Sequence, residues 1–175
     1  MDSTYRSDVG LRPWAEGDLP LLTRLLGDPA MTEHIGGPES PEKLLSRHKR
    51  YLEFPESAGR VFAIVVGDEE TPAGWVGYWE SEWLGQNVWE TGWSVLPEFQ
   101  GRGVATAATA LMIGWARADA AHRFMHAFPS VHNTRSNAIC RNLGFELQGE
   151  VDIEYPPGTP MHSNDWRLDL RGPGA

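Results

Sequence analysis

The sequence predicts one mixed α/β domain, a mostly antiparallel sheet of about seven strands flanked by about four helices. Three observations carry that expectation. Apolar, strand-like runs at residues 61–66, 74–83 and 88–96 follow one another with only short polar turns between them, Asp68-Glu69-Glu70 and Gly85-Gln86-Asn87. After Gly103 the apolar period changes from two to 3.6. Strand-like and helix-like segments then alternate to residue 170, with no internal repeat, low-complexity tract or linker. The domain is expected over residues 9–171, between tails at 1–8 and 172–175.

Taken in order, residues 9–14 read as an extended strand, and the Glu16-Gly17-Asp18 turn offers Asp18 as a cap for a helix over 19–26. Glycine and proline at Gly27, Pro29, Gly36, Gly37 and Pro38 punctuate the next stretch. Ser40 then caps a second helix, with Pro41 at its first position and its end near Phe54, just before Pro55. The three runs from 61 to 96 form an antiparallel meander. Val104, Ala108, Leu111, Met112 and Trp115 fall on one stripe of a helix over 103–118. Residues 123–128 read as a strand, 134–143 as a helix, 146–155 as a strand and 161–170 as the last strand, beyond the Pro156-Pro157-Gly158 turn.

Composition excludes several classes of function. With 41% hydrophobic and 22% charged residues, the chain can bury a core and is not a disordered segment. Fifteen basic against twenty-four acidic side chains leave a net charge of -9, which opposes binding to nucleic acid and favours a cationic guest. The longest stretch free of charge, residues 103–116, is shorter than the roughly 20 residues needed to span a bilayer, so no membrane partner is expected. Asp2, Arg6 and Asp8 stand where a signal peptide needs an apolar run, and the single Cys140 cannot form an internal disulfide. Both point to a reducing cytoplasm.

The most informative segment is Val95-Leu96-Pro97-Glu98-Phe99-Gln100-Gly101-Arg102-Gly103-Val104-Ala105, where a strand ends at a proline and a glycine-rich turn opens into the long helix. Gly101 and Gly103 allow a tight turn and close approach of a ligand, so the N–H groups of Gln100 to Ala105 can converge on one anion. The helix dipole adds positive potential there, and Arg102 adds a charge. A pyrophosphate is the expected guest. A plain strand-to-helix turn would use the same glycines for geometry alone.

This segment resembles motif A of the GNAT superfamily of N-acetyltransferases, whose signature is Gln or Arg, two residues, Gly, one residue, then Gly or Ala: Gln100, Gly103 and Ala105 fit it, with Val95 and Pro97 as lead-in. Asn133-Thr134-Arg135-Ser136 leading to Leu143-Gly144-Phe145 is similar to motif B. Together with Glu90-Thr91-Gly92-Trp93, the Asn-x-x-Ser variant looks most like the Rim-type ribosomal-protein N-terminal acetyltransferase branch. The resemblance implies acetyl-CoA as cosubstrate, with no metal, held in a V-shaped opening between two parallel central strands, 88–96 and 123–128. It implies backbone contacts to the cofactor at Val95 and Leu96, and a contact from Asn133, which would also cap the helix at Thr134. The activity implied is transfer of acetyl by direct attack on the thioester, to a primary amine of a small molecule, peptide or protein N-terminus. A non-catalytic acyl-CoA-binding regulatory module is the alternative.

Such a transfer needs a group to take the amine proton. Glu90 shares a strand face with the small Gly92 and Ser94, which leaves room for an amine, although a solvated strand carboxylate would show the same pattern. Glu154, on the strand after motif B, is the competing candidate, against a background of Glu150 and Asp152 alternating with it as a solvated face would. Many superfamily members carry an acidic tyrosine four residues before the motif B glycine; here that position is Cys140, read as core filling with a thiol donor as the alternative. Ser136, one helical turn earlier, can donate to the leaving thiolate or to the cofactor. His122, His126 and His132 lack the convergent ligands of a metal site. Trp75, Trp79 and Trp83 share one strand face, expected in the core or at an interface that would also serve a homodimer. Residues 28–42, read as helical, and the loop 155–162 are expected to wall the acceptor site.

Overall fold

The computed structural model describes residues 8–172, so the tails expected at 1–8 and 172–175 lie outside it except for Asp8 and Gly172. The elements run β1 (Val9–Pro13), α1 (Leu19–Leu26), α2 (Pro41–Leu52), β2 (Gly59–Val66), β3 (Thr71–Trp83), β4 (Gln86–Val95), α3 (Val104–Asp119), β5 (Phe124–Ala127), α4 (Thr134–Asn142), β6 (Glu146–Glu154) and β7 (Pro160–Asp169). The seven strands form one sheet in the order β1-β2-β3-β4-β5-β7-β6. Every neighbouring pair is antiparallel except β4 and β5.

That parallel pair positions the site. β4 and β5 are in register only at Trp89↔Met125 and Glu90↔His126. Beyond Glu90, β4 runs on to Val95 paired with β3 alone, while β5 ends at Ala127. The sheet therefore splits, leaving one edge of β4 open. No helix among the described residues is long and apolar enough to cross a membrane.

Each face of the sheet buries its own cluster. On one, α3 and α4 cover Tyr78, Trp89, Met125 and Trp166, with Ala108, Met112 and Cys140 from the helices. On the other, α1 and α2 bring Leu22, Leu25 and Leu44 against Trp14, Ala63, Trp75 and Leu96. α3 packs with a stripe rotated from the expected one: Val104, Ala108, Met112 and Ala116, spaced by four, are buried, and Leu111 and Trp115 are 45% and 47% exposed. Trp115 still lies against Phe62, ring centroids 5.7 Å apart, beneath the Arg60 guanidinium. Aromatic contact at the edge of the sheet satisfies it without full burial.

The two expected caps part company. Ser40 has extended backbone, φ -69° and ψ 159°, and its hydroxyl accepts from the Lys43 N–H at 3.4 Å. Asp18 is already helical at φ -91° and ψ 0°, a conformation that does not present a side chain to the helix it precedes. Its carboxylate turns back instead, accepting both guanidinium arms of Arg12 at 2.7 Å and the Ala15 N–H at 2.8 Å.

Asn137 ties α4 to the sheet. Its amide donates to the carbonyls of Ser130 and Asn133 at 2.9 and 2.8 Å, and its oxygen accepts from Asn164 and from the Trp166 indole at 2.7 and 2.8 Å. Asn137→Leu keeps the bulk and leaves those buried partners unpaired, at about 1–3 kcal/mol for each that water cannot reach. Chemical denaturation is expected to show a loss of unfolding free energy of at least about 2 kcal/mol; a change within error would mean that the node is replaceable.

Candidate active site

The opening between β4 and β5 widens into a cavity of about 1370 Å³ reached by every predicted wall. At one end lies the glycine-rich turn. Gly101 and Gly103 adopt left-handed backbone, φ 72° and 77°, which only glycine takes without strain. Gly103 precedes α3 directly, and the Ala107 N–H to Gly103 carbonyl bond at 2.9 Å starts its ladder. The N–H groups of Val104 and Ala105, in the first turn, have no intrahelical acceptor and lie at the positive end of the dipole. Gln100, Gly101, Gly103, Val104 and Ala105 all line the cavity.

Two members of the expected set act differently. The Gln100 N–H donates to Pro97 at 3.2 Å and so is not among the convergent donors. Its side chain is a tie instead: Nε2 donates to the Val95 carbonyl at 2.8 Å and Oε1 accepts from Arg135 of α4, clamping the two walls of the split. Arg102 is exposed at the tip of the turn and does not line the cavity.

Val95 lines the cavity, whereas Leu96 is 1% exposed, stands outside it and gives its N–H to Ala73 at 2.8 Å. Since alternate residues of an antiparallel strand face opposite edges, the polar groups of Val95 and Trp93 point away from β3 toward the split. The backbone groups open to an extended ligand are thus those of Trp93 and the Val95 N–H, in place of Leu96, the Val95 carbonyl being taken by Gln100. From the far wall, Asn133 and Ser136 both reach the cavity, and the Asn133 side chain caps α4 by accepting the Ser136 N–H at 3.1 Å.

Glu90 sits at the fork, on the row that runs from Trp79 through Glu90 to His126. Burial pushes its carboxyl above the usual range, partly offset by hydrogen bonds from Ser81 and Trp79 and by the nearby His126. Gly92 and Ser94 follow it along the cavity wall. Glu154 is not brought there: it is exposed, accepts the Gly158 N–H at 3.2 Å and lies off the cavity, its neighbours Ile153 and Tyr155 facing inward in its stead. Cys140 is fully buried in the core, its thiol pushed up to about 12 by that burial, and it does not face the cavity.

The end beyond Glu90 holds residues that the motifs do not mark. Arg47 of α2 forms an ion pair with Glu39 and reaches the hydroxyls of Tyr51 and Tyr155 at 3.2 and 3.4 Å. Trp75 and Trp79 line the wall beside them. The spacing of Arg47 and Tyr51 by one helical turn was a readable signal; their link to Tyr155 was not. Residues 28–39 do reach the cavity through Met31 and His34, but as successive turns in place of the expected helix, because Gly36 and Gly37 stand at φ 91° and 90° ahead of Pro38. Trp83 leaves the cavity and donates to Asp165 at 2.9 Å, whose other oxygen pairs with His126 Nδ1 at 2.6 Å. Among the described residues no cluster of three metal-ligating side chains occurs.

The family model of the acetyltransferase (GNAT) domain matches residues 8–146. The chain belongs to the GNAT acetyltransferase family. Solved acetyltransferase structures share its fold over nearly the whole chain. Spermidine N-acetyltransferase from Vibrio cholerae, in complex with CoA and spermine, is 17% identical, with 94% of this chain and 96% of that chain covered and a TM-score of 0.77. The Salmonella typhimurium acetyl transferase that modifies the N-terminal serine of ribosomal protein L7/L12 is 23% identical, with 93% and 95% covered and a TM-score of 0.75. The GNAT-family acetyltransferase from Bacillus anthracis is 15% identical, with 94% and 96% covered and a TM-score of 0.75. No curated protein matches the sequence. The split sheet, with the glycine turn at one end and Glu90 at the fork, is this GNAT domain's candidate active site.

Proposed function

We propose that the protein is an acetyl-CoA-dependent N-acetyltransferase whose acceptor is a primary amine on a small molecule, peptide or protein N-terminus. The observation that carries this reading is the opening of one cavity onto both a set of unpaired backbone donors at the start of α3 and a half-buried carboxylate at the fork of β4 and β5. CoA-bound structures of similar fold support the cosubstrate.

Acetyl-CoA supplies an activated acetyl group. The N–H groups of Gly103, Val104 and Ala105 bind its pyrophosphate, and the open edge of β4 at Trp93 and Val95 pairs with the extended arm. Glu90, ionised, takes the proton of the acceptor amine as nitrogen attacks the thioester carbon. Ser136 offers its hydroxyl to the departing sulfur. Cys140 has no part in this, since its thiol is fully buried in the core and does not reach the cavity. The CoA thiol, an acceptable leaving group as thiolate, departs without a dedicated acid.

Thiol release from acetyl-CoA in the presence of a panel of amines, with products identified by mass spectrometry, tests the reading. Amide products support it; tight acetyl-CoA binding with no acyl transfer to any amine would favour the non-catalytic module. In the same assay Glu154→Gln is expected to retain turnover within about twofold, because an exposed carboxylate off the cavity cannot act directly on the amine. A loss above tenfold would return the base to Glu154.

A further inference from the structure

The acceptor end of the cavity has a chemistry specific enough to name a substrate class. Trp79 is the cross-strand partner of Glu90, and Trp75 lies four residues before it on the same face of β3. The two indoles stand 6.4 Å apart by ring centroid, and Tyr51 of α2 stands 5.7 Å from Trp75. Gly92 makes this arrangement possible. A Cβ there would lie 3.2 Å from the Trp79 ring edge and 3.3 Å from that of Trp75, so the missing side chain is what lets both rings lie down against β4. Beside Glu90 the structure thus offers the half-buried Trp79 ring, backed by the buried Trp75.

Charge narrows the guest further. Of the carboxylates that line the cavity, Glu39 is paired with Arg47, whereas Glu33 and Glu80 are exposed and lie beside the imidazoles of His34 and His122, which carry a charge only when protonated. Glu90 is half-buried and has no ion-pair partner among the described residues. Lys43 and Arg50 of α2 add positive charge to the same wall. A polycation entering this end would meet one half-buried carboxylate beside two further cations, and each extra ammonium drawn below the surface would lose its hydration without a partner. A single ammonium meets Glu90, with the indole faces beside it adding cation–π attraction.

We propose that the acceptor is a monoamine carrying an aromatic body, its nitrogen at Glu90 and its ring on Trp79, which Trp75 backs, and that Trp79 determines this specificity. The inference rests on the N-acetyltransferase reading for its chemistry but is tested by binding, without it. Calorimetry on the CoA-saturated protein compares 2-phenylethylamine, 2-cyclohexylethylamine and spermidine. The phenyl compound is expected to bind about two- to tenfold tighter than its saturated counterpart, the gain that aromatic geometry adds beyond buried area. Spermidine is expected to bind more weakly than either. Trp79→Ala should erase the phenyl preference, and Trp79→Phe should retain most of it.

Equal binding of the phenyl and cyclohexyl amines, or tighter binding of spermidine, overturns the proposal, and the wild-type ranking alone decides this if a tryptophan variant does not fold. If 2-phenylethylamine binds first in rank yet is never acetylated, the aromatic subsite stands and the N-acetyltransferase reading falls. If spermidine is both preferred and acetylated, the reaction stands and the subsite falls.

Discussion

Glu90→Gln is expected to lower turnover by about 10²-fold or more at fixed pH with a confirmed amine acceptor, and to leave acetyl-CoA affinity nearly unchanged. Glutamine keeps the shape of the side chain and can still accept from Ser81 and Trp79, the partners that Glu90 has in the fold. What it loses is the ability to take a proton. The affinity should hold because the cofactor donors lie at the far end of β4 and at the start of α3, whereas Glu90 lies at the fork.

A second readout separates this role from a structural one. Burial raises the Glu90 carboxyl above its usual range, so the folded protein binds a proton there more tightly than the unfolded chain does. By linkage, stability contributed at this site is present at low pH and is lost as pH rises through the raised value. Above that raised value, where the carboxylate is ionised, Glu90→Gln is therefore expected to melt at the same temperature as wild type or higher, while turning over far more slowly. In wild type, turnover should rise with pH through a value above the ordinary 4.3 or so of a glutamate. A variant that is both slow and unstable would mark Glu90 as a packing group, and one that is stable with wild-type turnover would leave the proton to water.

The strand-borne half of the site was legible because period two carries it. Glu90, Gly92 and Ser94 alternate along β4, and the glycine spacing of 101 and 103 announces a left-handed turn ahead of a helix whatever the rest of the chain does. The resemblance implies Leu96 as well as Val95, but the Leu96 N–H faces β3 and goes to Ala73, and which edge of β4 is open depends on where β5 ends, at Ala127. The Leu111 and Trp115 stripe failed for a related reason, since a 3.6 period admits neighbouring stripes and the sheet surface under α3 selects one of them. Least legible was the acceptor end. Arg47 meets Tyr155 across 108 residues of chain, through a turn that carries no periodic signal, and Glu39 reaches Arg47 from a segment of turns. Asn137 reads as an ordinary polar position of a short helix until β7 brings Asn164 and Trp166 to it. Contacts of this kind arise only once the sheet order is fixed, and the sequence has no local mark for them.

Gly103→Val is expected to weaken CoA binding by about 100-fold or more, the loss of one or two backbone N–H bonds to phosphate at roughly 1.5–3 kcal/mol each. Gly103 holds φ 77° at the N-terminus of α3. A β-branched residue there is driven out of the left-handed region, and the first-turn N–H groups rotate away from a common focus. The same strain destabilises the fold by about 1–2 kcal/mol or somewhat more, so a drop in melting temperature is expected alongside the binding loss and does not by itself locate the site. Pantetheine, which has the extended arm and no pyrophosphate, separates the two. Its contacts are with β4, and Gly103→Val should change its affinity by less than about threefold, while CoA loses most of its advantage over it, because only CoA uses the charge-assisted bonds at the turn. Gly103→Ala, with a smaller side chain in the same conformation, should fall between wild type and valine for CoA. If calorimetry on the folded valine variant shows CoA and pantetheine weakened in equal proportion, the pyrophosphate does not sit on the Gly103–Ala105 donors, and the anion site must be sought at Arg135 on the opposite wall.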